Sequence, residues 1–462
     1  MLTLRPDQRS LMDAARAQLR AGLRRVAIVA PTGFGKTVLT AHMFASAATR
    51  GFRSVFVLHR RELLGQASRS FTANGVPHGI IAAGIPADSS KLVQIATIGT
   101  LARQVHLIRP PRFVCFDECH HLPAPGWTSL QEAFKDAFHI GLSATPRRLD
   151  GQGLRDHFDI MVCGPSVPWL QKRGHLSLCR HYAPRNTLDL TGVRTRLGDY
   201  HRGDLVAAVD RSSIDGDAIA AYLHFAKRTR TLVFATSIEQ SERIVEAFKL
   251  AGIPAEHVDG KTPATQRDAA IARFERGETL ILSNVDLFGE GFDVPAIEAV
   301  MMLRPTKSLG LYLQMIGRAL RVAHGKPYAV VLDLVGNYTR HGLVDDDRSW
   351  SLDAPAVDGD DQPRRLTVCA ACDLVAEHRG FCTICGAPPK PYRQDELELW
   401  QQVVSEAGLA PRLRAMRRSE LLRWADCERK LRLVALVLGF KRGWAWHRHN
   451  ERLEIQRKRD AS

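Results

Sequence analysis

Short apolar runs rich in β-branched residues recur through the first 149 residues, separated by longer stretches with helix-like spacing of apolar positions. The runs are Val26 to Val29, Val55 to Leu58, Val93 to Thr97, Phe113 to Phe116 and Ile140 to Ser143. Consecutive apolar positions mean burial on both faces, the pattern of a parallel sheet covered by helices. A second series follows residue 225: Thr231 to Phe234, Leu280 to Leu282, Val300 to Leu303 and Ala329 to Leu332. Two α/β domains are therefore expected, over residues 1–149 and 228–345, with residues 150–227 as a connector and packing segment. Residues 346–365 are polar, acidic and rich in turn formers, which predicts a linker. A small cysteine-bearing unit at 366–390 and a basic, mainly helical module at 391–462 complete the chain.

Two of the apolar runs end in residues suited to phosphate chemistry. Val26 to Val29 leads into Ala30-Pro31-Thr32-Gly33-Phe34-Gly35-Lys36-Thr37. A glycine-containing loop between a strand and a helix can wrap phosphate oxygens with backbone N–H groups, and the helix aims its positive end at the same anion. Thr32, Gly33 and Gly35 belong to that cradle, Lys36 reaches the β- and γ-phosphates, and Thr37 offers a hydroxyl to Mg²⁺. The usual first glycine of such a loop is Ala30 here, a small residue that the loop should tolerate. Phe113 to Phe116 leads into Asp117-Glu118-Cys119-His120. Asp117 can hold the metal from the opposite side, while Glu118 remains to orient an attacking water.

Composition narrows the setting. In 462 residues, 45% of them hydrophobic, no apolar run is long enough to span a bilayer, so no membrane association is expected. The N-terminus lacks the basic-then-apolar layout of a secretory signal, and cytoplasmic residence is the expectation. A formal charge of +15 and a pI near 9.7 point to a polyanionic partner, because a basic surface concentrates nucleic acid and gains from counterion release.

Further motifs stand in a fixed order: Arg5-Pro6-Asp7-Gln8, the phosphate loop, Leu58 to Leu63, Ala96 to Leu101, Asp117 to His120, Ser143-Ala144-Thr145-Pro146, Val233-Phe234-Ala235, Asn284 to Pro295, and Gln314 to Arg321. This order resembles superfamily 2 helicases and translocases, most closely the DEAD/DEAH-box group that includes restriction-enzyme motor subunits and transcription-repair helicases. The resemblance covers about residues 1–345 and implies two tandem RecA-like domains with ATP between them. It further implies that Gln8 reads the adenine edge, that Gly291 and Asp293 face the ribose, and that Gln314, Arg318 and Arg321 approach the γ-phosphate. His120, Ser143 and Thr145 would couple hydrolysis to movement, and Arg60, Thr97 and Thr100 would contact nucleic acid. For those last three, an ordinary solvated helix start and ordinary strand threonines are equally good readings.

Cys369-x₂-Cys372-x₉-Cys382-x₂-Cys385 places two thiol pairs on two short turns, which suits tetrahedral Zn²⁺ in a zinc ribbon. Disulfides are disfavoured in a reducing compartment. Trp444 and Trp446, interleaved with Lys441, Arg442 and Arg448, suit either base stacking or the core of a small helical unit. The expectation is an ATP-dependent DNA helicase or translocase, with a protein partner possible through the ribbon or tail. The alternatives are an RNA helicase and a DNA-binding recruitment subunit whose ATPase activity is secondary.

Overall fold

In the computed structural model, the described residues are 3–122, 124–148, 151–184, 188–196, 198–210, 212, 214–288 and 297–353. Beyond them, 366–369, 371–376, 382, 384, 385, 416, 425, 430, 431 and 434 are described. The first sheet comprises β1 (Arg25–Val29), β2 (Ser54–Leu58), β3 (His78–Ile81), β4 (Val93–Thr97), β5 (Phe113–Phe116), β6 (Phe138–Ser143) and β7 (Ile160–Cys163). Its order is β3-β4-β2-β5-β6-β1-β7 and every pairing is parallel. Central strands such as β2 are buried at every position, as the unbroken apolar runs require.

The second sheet contains β8 (Cys179–Tyr182), β11 (Thr231–Phe234), β12 (Ala255–Val258), β13 (Ile281–Asn284), β14 (Ala299–Met302) and β15 (Ala329–Asp333). It runs β12-β13-β11-β14-β15-β8, again parallel throughout. Strands β9 (Thr195–Arg196) and β10 (Asp199–Tyr200) form a separate antiparallel hairpin. The segment between the two main domains thus supplies one edge strand to each sheet, β7 to the first and β8 to the second. β8 does not stand out in the sequence because Arg180 and His181 interrupt it, and β7, although apolar, is only partly buried at the sheet edge. Both sheets contribute to one continuous cluster of buried apolar side chains, which includes Leu170 and Leu176 from that segment.

The start of the expected linker is a strap instead of a tether. Arg348 donates to the backbone carbonyls of His341, Leu343, Val344 and Asp346, and the Asp346 carboxylate accepts the Leu343 N–H at 2.9 Å. The strap then returns to the first domain. Leu352, 3% exposed, packs in that domain's core cluster with Leu154 and Phe158, and its carbonyl accepts the Leu154 N–H at 2.6 Å. Arg155 grips Asp353 with two bonds of 2.9 Å. Local acidity predicts a solvated stretch, but one apolar side chain with a complementary pocket overrides it.

After the strap come β16 (Thr367–Val368) and β17 (Val375–Ala376), an antiparallel pair. Tyr182 and Leu374 form an antiparallel bridge, so this small unit lies along the free edge of the second sheet at β8. The tail tryptophans Trp444 and Trp446 lie outside the described residues. Among the described residues no helix is long and apolar enough to cross a membrane.

Candidate functional site

The loop after β1 is shaped by its glycines. Gly33 and Gly35 have φ of 86° and 95°, the left-handed region that glycine enters without penalty. Space demands them as well: a Cβ on Gly35 would lie 2.7 Å from Gln8 Nε2, and one on Gly33 would lie 2.9 Å from Leu176 Cδ2. The helix Lys36–Ala48 starts immediately afterwards, with Thr37 in its first turn, so its free N–H groups face the loop. Lys36 Nζ donates to the carbonyls of Ala30 at 2.9 Å and Pro31 at 3.4 Å. Burial lowers the pKa of its ammonium, opposed by the carboxylates of Glu118 and Asp117. Ala30 is accommodated because Gly164 faces it: a Cβ at 164 would come 3.2 Å from the Ala30 Cβ.

Gln8 is 5% exposed and fastened to the same loop. Its amide donates to Phe34 O at 2.8 Å, and its carbonyl accepts the Arg5 N–H at 3.1 Å.

Asp117 and Glu118 follow β5, two strands from β1 with β6 between them. Glu118 is one of the few non-glycine residues at positive φ, 48°, a costly conformation that redirects the chain at the carboxylate. From Glu118 a polar chain leads away. His120 Nδ1 lies 3.4 Å from the Glu118 carboxylate and 3.2 Å from Ser143 Oγ. Ser143 Oγ donates to Thr145 O at 2.8 Å and accepts Thr145 N–H at 3.0 Å. Thr145 meets the second domain: its Oγ1 lies 2.9 Å from where a Cβ on Gly310 would be.

Gly310 opens the helix Leu309–Gly317, which carries Gln314 and delivers Arg318 at its end. Gln314 and Arg318 are 3% and 4% exposed. The charge of Arg318 adds a smaller contribution to the lowering of the Lys36 pKa. Gly317 packs onto Thr32, and Arg321 Cγ lies 3.9 Å from a Cβ built on Gly33. The structure therefore brings the second-domain arginines onto the phosphate loop of the first. Ser177 braces the backbone at Leu320 and Arg321, its N–H donating to Leu320 O at 2.7 Å and its hydroxyl to Arg321 O at 3.0 Å. Leu176 and Ser177 escaped sequence reasoning because they lie in irregular chain with no motif around them.

Not every expected residue joins this cluster. Gly291 and Asp293 lie outside the described residues. Thr97 Oγ1 donates to Thr100 Oγ1 at 3.1 Å, and Thr100 is buried at 6% exposure. Arg60 donates to Asp286 O of the second domain at 3.0 Å, so it spans the seam between domains. A cavity of about 380 Å³ opens beside Thr32 and Gly317 under Trp350. Ala30, Pro31 and Thr32 of the phosphate loop line it together with Leu313 and Leu320 of the second domain, while Lys36, Asp117 and Glu118 are not among its lining residues.

The four cysteine sulfurs Cys369, Cys372, Cys382 and Cys385 lie within 4.8 Å of one another. Cys369 and Cys385 are 3.7 Å apart, Cys372 and Cys382 3.6 Å, far beyond the roughly 2.05 Å of a disulfide. Four sulfurs at about 2.3 Å from a tetrahedral Zn²⁺ would stand about 3.8 Å apart, so the set has the right size. Burial opposes ionisation of Cys382, but the backbone amides of Cys385 and Ile384 and the neighbouring thiols bring its pKa down to about 6.

Comparison with known proteins agrees with this architecture. Residues 1–148 match the family described as type III restriction enzyme, res subunit, and residues 216–323 match the helicase conserved C-terminal domain. A Saccharomyces cerevisiae protein named as an ATP-dependent helicase is 28% identical over 72% of this chain, which spans 51% of that relative's length. The DNA 3'-5' translocase XPB2 of Sulfurisphaera tokodaii is 25% identical, over 68% of this chain and 79% of its own. A solved fragment assigned to the HsdR subunit of a Vibrio vulnificus type I restriction enzyme shares the fold, with a TM-score of 0.59 at 20% identity over 75% of this chain and 67% of that one. With two tandem parallel-sheet domains, a restriction-enzyme res-subunit family matched in the first, a helicase C-terminal family in the second, and relatives named as helicase and translocase, the chain belongs to the superfamily 2 helicases and is an ATP-hydrolysing enzyme.

Proposed function

We propose that the chain is a DNA translocase or helicase that grips and releases its strand as ATP closes and reopens the seam between residues 1–149 and 228–345. The supporting observation is the placement of Gly317 and Arg321 against the loop that carries Lys36, with Arg318 following Gly317 directly in the chain. Lys36 and the loop N–H groups hold the β- and γ-phosphates, and Lys36 exchanges the Ala30 and Pro31 carbonyls for phosphate oxygens. Glu118 orients the attacking water. Arg318 and Arg321, with Gln314 beside them, meet the charge that spreads over the transferred phosphoryl group, an arrangement worth about 10³ to 10⁵ in rate.

Thr37 and Asp117 supply the hard oxygen donors that would hold Mg²⁺, and the carboxylate of Asp117 is close enough to influence Lys36. A metal held there would supply positive charge against the negative charge that develops on the transferred phosphoryl group. Gln8, already seated on the loop, is positioned to read the adenine edge, and Gly291 and Asp293 are assigned to the ribose. Hydrolysis reaches the other domain through Glu118, His120, Ser143, Thr145 and Gly310, each in contact with the next. Arg60, Thr97 and Thr100 are assigned to the strand. The four cysteines hold one Zn²⁺, which fixes the ribbon along β8.

DNA is favoured over RNA by the likeness to an archaeal DNA translocase. ATP hydrolysis measured alone, with single-stranded DNA and with RNA tests the reading. Stimulation by DNA supports it, stimulation confined to RNA reassigns the substrate, and a rate indifferent to both overturns it.

A further inference from the structure

Strands β9 and β10 turn at Gly198, φ 84°, and belong to neither main sheet. No motif covers them, yet they are firmly mounted. Asp199 accepts the Thr306 hydroxyl at 2.8 Å and the Lys307 N–H at 2.7 Å, which fixes the hairpin to the loop after β14. Tyr200, only partly buried, has Lys307 Nζ at 4.9 Å and Arg340 Cζ at 5.9 Å from its ring centroid, and its hydroxyl accepts from Arg340 at 3.2 Å.

Cations continue from this ring toward the other domain. Arg202, with 64% of its side chain exposed, lies 3.5 Å from Asp286, and the carbonyl of Asp286 accepts the Arg60 bond across the seam. Arg196 and Arg340 are exposed, whereas the carboxylates of the region are occupied: Asp199 by Thr306 and Lys307, Asp286 by Arg202 and Arg304. The surface is therefore net positive with an aromatic ring inside it. Arg60 and Asp286 both lie just past carboxyl ends of strands, β2 and β13, so the band follows one side of both domains.

We infer that the β9–β10 hairpin is a docking surface for single-stranded DNA, with Tyr200 as a stacking ring and Arg196 and Arg340 as phosphate contacts. The inference rests on the translocase reading and adds an element to it. A ring flanked by cations accepts any base on its face, while the cations neutralise adjoining phosphates, so binding is tolerant of sequence and sensitive to salt. Because the band crosses the seam, a strand lying on it is held by both domains. Relative movement of the domains then changes which contacts are made.

The test uses the full chain and a fluorescein-labelled oligothymidine of about 20 nucleotides, with fluorescence anisotropy read across a salt series. Tyr200→Ala should weaken binding about 5- to 100-fold, and Tyr200→Phe, which keeps the ring, should bind within about twofold of the parent. Arg196→Glu, a change at an exposed position, should weaken binding and reduce the salt slope by about 0.7 or more, and it keeps the test informative if Tyr200→Ala dislodges the hairpin. Parent-level affinity and salt slope in Arg196→Glu, with Tyr200→Ala folded and equally tight, overturn the hairpin assignment alone. A parent chain that does not bind the oligonucleotide overturns both the hairpin assignment and the translocase reading.

Discussion

Gly317 of the second domain packs so closely on Thr32 of the phosphate loop that a Cβ on the glycine would sit 2.5 Å from the threonine Cβ. No methyl group fits there without movement, and the neighbour on the threonine side is a rigid β-branched carbon. Gly317→Ala should push the domains apart and lower ATP turnover at least about tenfold, because an arginine moved by about 1 Å loses most of its transition-state contact. Fluorescent ATP should bind within a few-fold of the parent, since Lys36 and the two loop glycines are kept and the clash falls on the Thr32 side chain. Unchanged turnover in Gly317→Ala would show that this contact plays no part in the reaction.

The proposed roles separate ATP binding from chemistry. Lys36→Ala should lose both ATP affinity and turnover. Glu118→Gln keeps shape and hydrogen bonding but removes the charge that orients water, so it should bind ATP and turn over at a trace of the parent rate. Arg321→Ala should reduce the maximal rate by about 10³ while ATP still binds. Steady-state kinetics beside equilibrium ATP binding separates these patterns.

The strap offers a test of how the domains are held. Leu352→Ala leaves a void among Leu154, Phe158 and their neighbours and should cost about 2 to 5 kcal/mol, seen as a lower melting temperature. Arg155→Ala should lower the melting temperature far less, because 55% of the Arg155 side chain and 60% of the Asp353 side chain are exposed and their attraction is screened. Comparable losses in the two variants would contradict the view that the buried leucine is the anchor.

Metal analysis of the purified chain should find one zinc, absent once Cys369 and Cys385 are both replaced by serine. Because Leu374 bridges to Tyr182, zinc removal by a chelator should also speed amide exchange in β8, at the sheet edge, before it affects β2 or β5. A chain that never carries zinc would remove the ribbon assignment and leave the superfamily assignment standing.

Sequence reading and structure part company at identifiable places. β1, β2, β4, β5, β6, β11, β13, β14 and β15 were legible because a strand buried on both faces must be apolar at nearly every position. Edge strands β3 and β12 contain polar residues and lack that signal, whereas β7 is apolar at all four positions without being buried on both faces. Leu352 gave no warning either: one leucine among aspartates looks solvated until the pocket that receives it is known.

By itself the chain's order of residues picked out the phosphate loop, the acidic pair and the paired arginines as the proposed site, since such a site requires particular side chains at short, fixed spacing. Only the folded chain decided that Thr32 meets Gly317, that Thr145 meets Gly310, and that Arg321 lies over Gly33. Those contacts join positions that packing alone brings together, and their partners are glycines, whose contribution is the space they leave. A missing side chain has no visible counterpart in sequence until the atom that fills its place is seen.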